Sequence, residues 1–382
     1  MKALVLGVGR MGTAIAYAMD KFGFHVVGMD TNPDAANNIP QKINHEQTQN
    51  EEGNSVMGPA RNEFFIVQDA QDICKGIEGQ EKPDVVISSL PYHQTEIVGK
   101  WCVDHGVRYC DLGGRVDVSE NINSYAKDNA TKPIFTDLGL APGWVNILAE
   151  QGCKEIHRKP EEVEMMVGGI PGVPSNPPLN YGVTWSTDGL INEYVDDCEV
   201  LYKGEIKSVP GMSGLEKVHI DIIDEEMEAF FTSGGASHTI RSMKERGVEN
   251  CFYKTIRWPG HCEAIKFLIK TCDLSEDCLM DVFTKGCADS GGDIVLIRAL
   301  VKSGPVTWKK EKIIACDPIA GFSAMQRSTA FSISSIAKIM AEGYFDNRVI
   351  QNRGGDQKLP VVLNYSDVPF EDFNKNLETL GI

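Results

Sequence analysis

Nowhere in the chain do about twenty apolar residues run together, so no membrane-spanning helix is expected. Basic residues are under-represented: 37 Lys and Arg stand against 54 Asp and Glu, for a formal net charge of −17. Such a chain repels nucleic acid and anionic membrane surfaces over about a Debye length, so neither is an expected partner. Eleven cysteines are scattered through the sequence with no CxxC pair, which argues against a disulfide framework or a structural zinc site and fits free thiols in a reducing cytoplasm. No cluster of His, Cys and carboxylates has metal-ligand spacing. Ser88, Ser89 and Ser233 lack the glycine-flanked elbow of a serine hydrolase. The first residues also lack an unbroken apolar stretch, because glycines interrupt them from Gly7 onward; a strand is expected there rather than a signal peptide. At 382 residues the chain is long enough for two domains with substantial cores.

What is present begins at once. The apolar run ALVL is followed by GVGRMG, with Gly7, Gly9 and Gly12, and a second run, FHVVGMD, closes on Asp30. This order of strand, glycine turn, helix, strand and carboxylate is the one a dinucleotide site needs. Gly7 permits the tight turn, Gly9 lets backbone N–H groups approach a pyrophosphate, and Gly12 lets the helix pack closely on the strand. The helix starting near Arg10 and Met11 points its positive end at the phosphates. Asp30 falls where a carboxylate accepts hydrogen bonds from the adenosine ribose, and its charge repels a 2′-phosphate. Thr31, Asn32 and Pro33 supply no Arg or Lys to offset that, so the expected cofactor is NAD rather than NADP.

Further strand-like runs, EFFIV to Val67, DVVISSL and VRYCDL, alternate with helical stretches such as Gln94 to His105. The alternation predicts a doubly wound parallel sheet of Rossmann type over residues 1–145. Residues 37–62, rich in Asn, Gln and Glu, are expected to form a surface excursion between the second and third strands. Beyond Trp144 the pattern changes. VEMMVGG, YGVTWS, EVLYKGEIKSV, KVHIDI, MEAFFTS, FYKTIRW and DIVLIRALV suggest longer strands, with YKGE as a hairpin turn. An α+β domain with a mixed, largely antiparallel sheet is expected over residues 146–315. A long helix near GFSAMQRSTAFSISSIAKIMAEG then opens a C-terminal segment, residues 316–382, that returns to the first domain.

Taken in order, GVGRMG, SSLPYHQTEIV, YCDLGG, DLGLAPGWVNILA, GGIPGVPSNPPLNY, EAFFTSGG, YKTIRWPGH and GFSAMQRSTAF resemble the saccharopine dehydrogenase-like oxidoreductases. The resemblance implies a Rossmann domain and a substrate domain with the active site in the cleft between them. Among the family's members the chain looks most like those that oxidise L-lysine at its ε-amine carbon with NAD, releasing ammonia and an aldehyde that cyclises. It also suggests a homodimer or homotetramer. The polar segment at residues 37–62 departs from the family's usual compact connection.

The resemblance and the strand ends together nominate residues. Ser89, Leu90 and Pro91 lie at the carboxyl edge of the sheet, where such folds bind ligands; they join the cofactor set with Thr31, Asp69, Ala70, Asp111 and Gly113. Tyr92 would face the substrate, or would fill the core. Asp111, with Asp137 in a parallel position, is the leading candidate for an acid or base near the reacting amine, the alternative being a helix cap. In FYKTIRW, strand alternation puts Thr255 and Arg257 on one face, and Arg257 is assigned to the substrate α-carboxylate because its planar fork can bind one bidentately. Glu228 and Thr232 in EAFFTSGG are expected to line the same pocket, Glu228 holding the α-ammonium. His93 is expected to be a helix-start residue near solvent rather than an acid or base, and His238 and His261 are expected to be structural. Two other readings stay open: a reductase of the saccharopine type, whose larger anionic substrate needs further cations such as Arg115, Arg241 or Arg298, and a NAD(H)-sensing protein without chemistry.

Overall fold

The computed structural model describes residues 1–34, 62–78, 81–287, 292–346 and 361–382; most of the polar segment at 37–62 therefore lies outside the described residues. The chain divides into two compact units, Met1–Gly139 with Thr329–Ile382, and Leu140–Ser328.

In the first unit, strands β1 (Lys2–Leu6), β2 (His25–Asp30), β3 (Glu63–Ile66), β4 (Val85–Ser88), β5 (Tyr109–Asp111) and β6 (Ile134–Phe135) form one six-stranded sheet. All its pairs are parallel, and the spatial order is β3-β2-β1-β4-β5-β6. This is the doubly wound dinucleotide-binding order, and its strand order reverses beside β1 and β4, where a ligand crevice is expected. Helices α1 (Arg10–Lys21), α2 (Ala70–Glu78), α3 (Tyr92–His105) and α4 (Val116–Asn129) make the crossovers. The central strands are buried on both faces and so are continuously apolar, as with ALVL and VVIS. Leu4, Leu6, Val27, Val86, Val98, Cys102 and Ile122 share one core. Asn62, at the edge of the described residues, fixes the start of β2: its Oδ1 accepts the Val26 N–H at 3.0 Å, and its amide donates to Asp20 at 2.8 Å.

The second unit is built on eight strands. Six run in the order β10 (Glu216–Ile220), β11 (Glu225–Phe231), β12 (Asn250–Arg257), β7 (Glu162–Pro171), β13 (Asp293–Ser303) and β14 (Val306–Ala315), while β8 (Cys198–Tyr202) and β9 (Glu205–Val209) extend from β12. Only β12 and β7 pair in parallel. The YKGE turn is present: Lys203 and Gly204 both take positive φ, 53° and 78°, as a two-residue hairpin of right-handed twist requires. Helices α5 (Trp144–Glu155), α6 (Thr187–Val195), α7 (Thr239–Glu245), α8 (His261–Lys266) and α9 (Glu276–Gly286) also belong to this unit.

One strand expectation fails. YGVTWS is irregular chain leading into α6. Its alternating aromatics arise because Tyr181 and Trp185 turn into a core with Leu190, Ile191, Tyr194 and Phe283, and the Trp185 indole N–H donates to the Tyr181 hydroxyl at 3.2 Å. The long C-terminal helix forms as expected, α10 (Ala324–Ala341). Its first two N–H groups, on Ala324 and Met325, are capped by the two oxygens of buried Asp293 at 2.7 and 3.0 Å.

Candidate active site

In the first unit the glycine turn is a set of close approaches. Gly7 has φ +75°, and a Cβ there would stand 2.9 Å from the Ser89 carbonyl oxygen; at Gly12 a Cβ would stand 1.8 Å from the Gly7 carbonyl oxygen. At Gly9, by contrast, a Cβ would meet nothing within 4 Å. Two of the three glycines are therefore needed by the fold itself, and the third faces open space at the start of α1, where it provides no side chain to cap the first turn. Ser89 braces the turn by donating its hydroxyl to the Gly7 carbonyl at 2.5 Å. Asp30 Oδ2 accepts the Val8 N–H at 2.5 Å and Oδ1 the Asn32 N–H at 2.7 Å, which holds the carboxylate against the turn with lone pairs to spare for ribose hydroxyls. An open Gly9 and an anchored Asp30 fit a dinucleotide.

Other nominated residues sit as follows. Asp69 caps α2, accepting the Asp72 N–H at 2.8 Å while Asp72 accepts that of Gln68 at 3.1 Å, with Ala70 buried as the first helical residue. Thr31 is exposed. Leu90 and Pro91 lead into α3, and the Thr95 hydroxyl reaches both their carbonyls at 3.3 Å. Tyr92 is 45% exposed rather than core, and the Arg115 guanidinium lies over its ring at 5.4 Å.

Asp111 is fully enclosed. Its Oδ1 accepts the N–H groups of Gly113 and Asp137 at 2.8 and 3.0 Å, and its Oδ2 is sealed from solvent with no hydrogen bond of its own. Gly113 has φ +78° and is pressed against Asp137, where a Cβ would stand 2.3 Å from Oδ1. The Ser119 hydroxyl donates to that same Asp137 oxygen at 2.6 Å. Burial, followed by the neighbouring Asp137 carboxylate, pushes Asp111 up to about 7, against the backbone hydrogen bonds and the nearby Tyr109 hydroxyl.

In the second unit Arg257 ends β12, 3% exposed. Strand register sets Glu228 opposite Arg257 and Phe230 opposite Thr255, while Ile256 and Trp258 turn to the other face with Met227 and Ala229. The Thr232 and Thr255 hydroxyls meet at 2.8 Å. Arg257 Nε donates to the Tyr194 hydroxyl at 3.0 Å and Nη1 to the Ile256 carbonyl at 3.0 Å, with the guanidinium 4.9 Å from the Tyr181 ring centre. Behind Tyr194 stands His261, its Nε2 2.9 Å from the phenol oxygen and its Nδ1 2.6 Å from the Leu179 carbonyl. A carbonyl only accepts, so Nδ1 carries the proton, Nε2 accepts from Tyr194, and Tyr194 in turn accepts from Arg257. Burial and the adjacent Arg257 charge depress His261 to about 3, so it stays neutral. Burial works against the Arg257 charge as well, but Tyr194, Tyr181 and Glu193 hold its pKa above the usual value.

Glu228 does not share in this group. Its two oxygens accept the N–H groups of Gly260 and Cys262 at 2.9 and 2.6 Å and so hold the start of α8. Glu193, a residue that no sequence signal nominated, interacts electrostatically with Arg257 and with Tyr181, Tyr194 and Tyr253.

Comparison with known proteins bears on the family and the fold. Residues 3–135 match the model for the saccharopine dehydrogenase NADP binding domain, and residues 139–357 the model for the saccharopine dehydrogenase C-terminal domain. The chain belongs to the saccharopine dehydrogenase family. Among relatives, the mitochondrial alpha-aminoadipic semialdehyde synthase of Rattus norvegicus is 28% identical over 135 residues, covering 34% of this chain and 14% of that protein. Saccharopine dehydrogenase [NADP(+), L-glutamate-forming] of Schizosaccharomyces pombe is 23% identical over 159 residues, covering 41% and 35%. The matches thus span only a minor part of these relatives' length. Two solved structures share the fold at a TM-score of 0.70. Apo saccharopine dehydrogenase (L-Glu forming) of Saccharomyces cerevisiae does so at 14% identity over 100% of this chain and 97% of that one, and the homospermidine synthase of Legionella pneumophila in complex with NAD at 13% identity over 99% and 89%. Among the described residues, no helix is long and apolar enough to cross a membrane, and no group of His, Cys, Asp and Glu is placed to hold a metal.

Proposed function

We propose that the protein has lysine 6-dehydrogenase activity: L-lysine, NAD and water give the ε-aldehyde of lysine, which cyclises to piperideine-6-carboxylate, with ammonia and NADH. The observation that carries the reading is Arg257, a buried guanidinium held in place by neutral groups, with no carboxylate of the protein as a hydrogen-bond partner among the described residues. A charge so enclosed and so oriented suits one carboxylate of a ligand. The further cations that a saccharopine-type substrate calls for are engaged elsewhere: Arg115 pairs with Asp117, Arg241 with Glu199 and Arg298 with Glu311.

Gly7, Gly9, Gly12 and Asp30 would hold the dinucleotide, which when bound supplies the acceptor for hydride from the amine-bearing carbon. Asp30 supports NAD over NADP, although the matching family model and the fission-yeast relative carry NADP in their names. An alkylammonium of pKa about 10.4 must first lose a proton, at a cost of about 4.6 kcal/mol at pH 7. Asp111, pushed up towards neutrality, is suited to take that proton and to serve in the hydrolysis of the resulting iminium. Tyr92 would stand near the amine. The same reading makes the protein a cytoplasmic homodimer or homotetramer, which light scattering tests.

The experiment is to follow NADH formation with purified protein, NAD and L-lysine at alkaline pH. A steady rise supports the reading. Turnover of saccharopine alone would favour the activity named in the relatives, and tight NADH binding without turnover on any amine would favour a sensor.

A further inference from the structure

We propose that Glu193 receives the α-ammonium group of an amino-acid substrate whose α-carboxylate lies on Arg257, so that these two residues together select α-amino acids over plain carboxylates and amines. The proposal rests on the assignment of Arg257 to a carboxylate given above.

The placement of Glu193 follows from how α6 is held. Its neighbour Tyr194 is locked between Arg257 and His261 by hydrogen bonds of 3.0 and 2.9 Å. The backbone at Glu193 is tied as well: its carbonyl accepts the Ser233 N–H at 3.1 Å, and the Ser233 hydroxyl donates to the Asn192 carbonyl at 3.2 Å. Ser233 directly follows Thr232, which is joined to Thr255 on the strand that ends in Arg257. The last turn of α6 is thus fastened beside the face of β12 that carries Tyr253, Thr255 and Arg257. The Glu193 carboxylate interacts electrostatically with Arg257 and with the phenols of Tyr181, Tyr194 and Tyr253, so it belongs to the same neighbourhood of side chains.

Yet the two opposite charges do not close on each other. No ion pair within 4.0 Å joins Glu193 to Arg257, and among the described residues no side chain donates a hydrogen bond to its carboxylate. Both ends are anchored by the fold, which explains the separation. A guanidinium with hydrogen-bonding capacity left over and a carboxylate without a donor thus interact electrostatically without pairing. An α-amino acid bears its carboxylate and ammonium on one carbon and complements both at once. Glu228, the acidic residue nearest in register to Arg257, is unsuited to this part because both of its oxygens hold backbone N–H groups of α8.

The test is calorimetric binding to the full-length protein of matched pairs that differ only in the α-amino group: L-lysine against 6-aminohexanoate, and L-glutamate against glutarate. The expected result is a preference of the wild type for the amino acid of at least one pair, and its loss by about tenfold or more in Glu193→Gln, as for removal of a charge-assisted hydrogen bond. Glu193→Asp should recover part of it, and circular dichroism should show both variants folded. A Glu193→Gln variant that keeps the wild-type preference overturns the proposal, as does a wild type that never favours the amino acid. Loss of the preference for glutamate in a protein that ignores lysine would uphold Glu193 and remove lysine as the substrate. Arg257→Lys separates the remaining assumption: unchanged affinity for 6-aminohexanoate and glutarate would show that Arg257 is not the carboxylate site.

Discussion

The phenol of Tyr194 accepts the Nε–H of Arg257 at 3.0 Å, and its own proton is directed away, to a histidine that cannot take a charge. Arg257 is therefore oriented by a neutral chain that ends at the Leu179 carbonyl, and its charge is left for a ligand. Tyr194→Phe removes the acceptor while keeping the ring that packs with Phe230, Phe283 and His261. The expected outcome is an increase of about tenfold or more in KM for a carboxylate substrate, on the scale of a lost hydrogen bond to a charged group, with a smaller change in kcat. A variant with wild-type KM would show that the orientation of Arg257 does not limit binding.

Glu228 leads to an opposite prediction. Its carboxylate caps α8 through two backbone N–H groups, so Glu228→Ala should destabilise the fold by about 1–2 kcal/mol, the usual range for a lost N-cap. The preference for amino acids over their deaminated analogues should be unchanged. Chemical denaturation and the binding pairs above check the two halves separately, and a specific loss of amino-acid binding in a fully stable variant would restore Glu228 to the substrate site.

Asp30 is expected to decide between the nucleotides. It is fixed by the Val8 and Asn32 N–H groups, so a 2′-phosphate would meet a carboxylate that cannot swing away. Asp30→Ala should weaken NAD by about tenfold, the scale of hydrogen bonds to a charged group, and narrow the preference over NADP. Equal use of both nucleotides by the unaltered protein would overturn the argument.

The first unit was legible in the sequence because its signals are local. The glycine turn, the apolar runs and the acidic end of β2 all lie within thirty residues of one another, and the parallel order follows from their alternation with helices. The second unit was legible as a mixed sheet, since long apolar strands carry a period of two. What escaped was decided by contacts far apart in the chain. YGVTWS has a strand's alternation, but Tyr181 and Trp185 are drawn into a core completed by Phe283, about a hundred residues on. Nothing in the sequence around Glu228 or Glu193 tells a helix-capping acid from one without a hydrogen-bond donor. Only the position of α8 shows that the first is occupied by backbone donors. Likewise nothing local at His261 reveals that its partner is Tyr194, 67 positions away.

The buried Asp111 carboxylate makes stability depend on pH in a direction opposite to that of a salt bridge. Burial raises Asp111 above its unfolded value, so the folded chain holds the proton more tightly, and stability is lost as pH climbs from about 4, the ordinary carboxylate value, through about 7. Glu193, also raised to about 7, chiefly by burial against the pull of Arg257, adds a contribution of the same sign. Asp111→Asn keeps Oδ1 for the Gly113 and Asp137 N–H groups but cannot ionise. The fall in melting temperature between pH 5 and pH 8 should therefore be smaller in the variant, and at pH 8 the variant should be at least as stable as the wild type. If Asp111 is also the base, kcat should drop by about 10²–10⁴. An unchanged kcat with the altered stability profile would assign the residue to the fold alone.

Gly9 and Gly12 offer the sharpest separation of fold from ligand, because one substitution at each asks a different question of the same turn. A Cβ at Gly12 would lie 1.8 Å from the Gly7 carbonyl oxygen and 2.9 Å from the Ser89 hydroxyl, so α1 and β1 must part to admit it. Gly12→Ala is accordingly expected to cost about 3 kcal/mol, the upper end of the range for an overpacked core contact, and to lose dinucleotide binding as a consequence of the shifted helix. At Gly9 a Cβ meets no atom of the protein within 4 Å, and φ is −74°, outside the left-handed region that disfavours a side chain. Gly9→Ala should therefore melt within a degree or two of the wild type, roughly the effect of a neutral surface change, while NADH fluorescence titration shows affinity reduced by about tenfold or more through crowding of the pyrophosphate path. Unimpaired NADH binding in a stable Gly9→Ala protein would mean that the dinucleotide does not pass over this turn, and the Rossmann topology would then stand without its ligand.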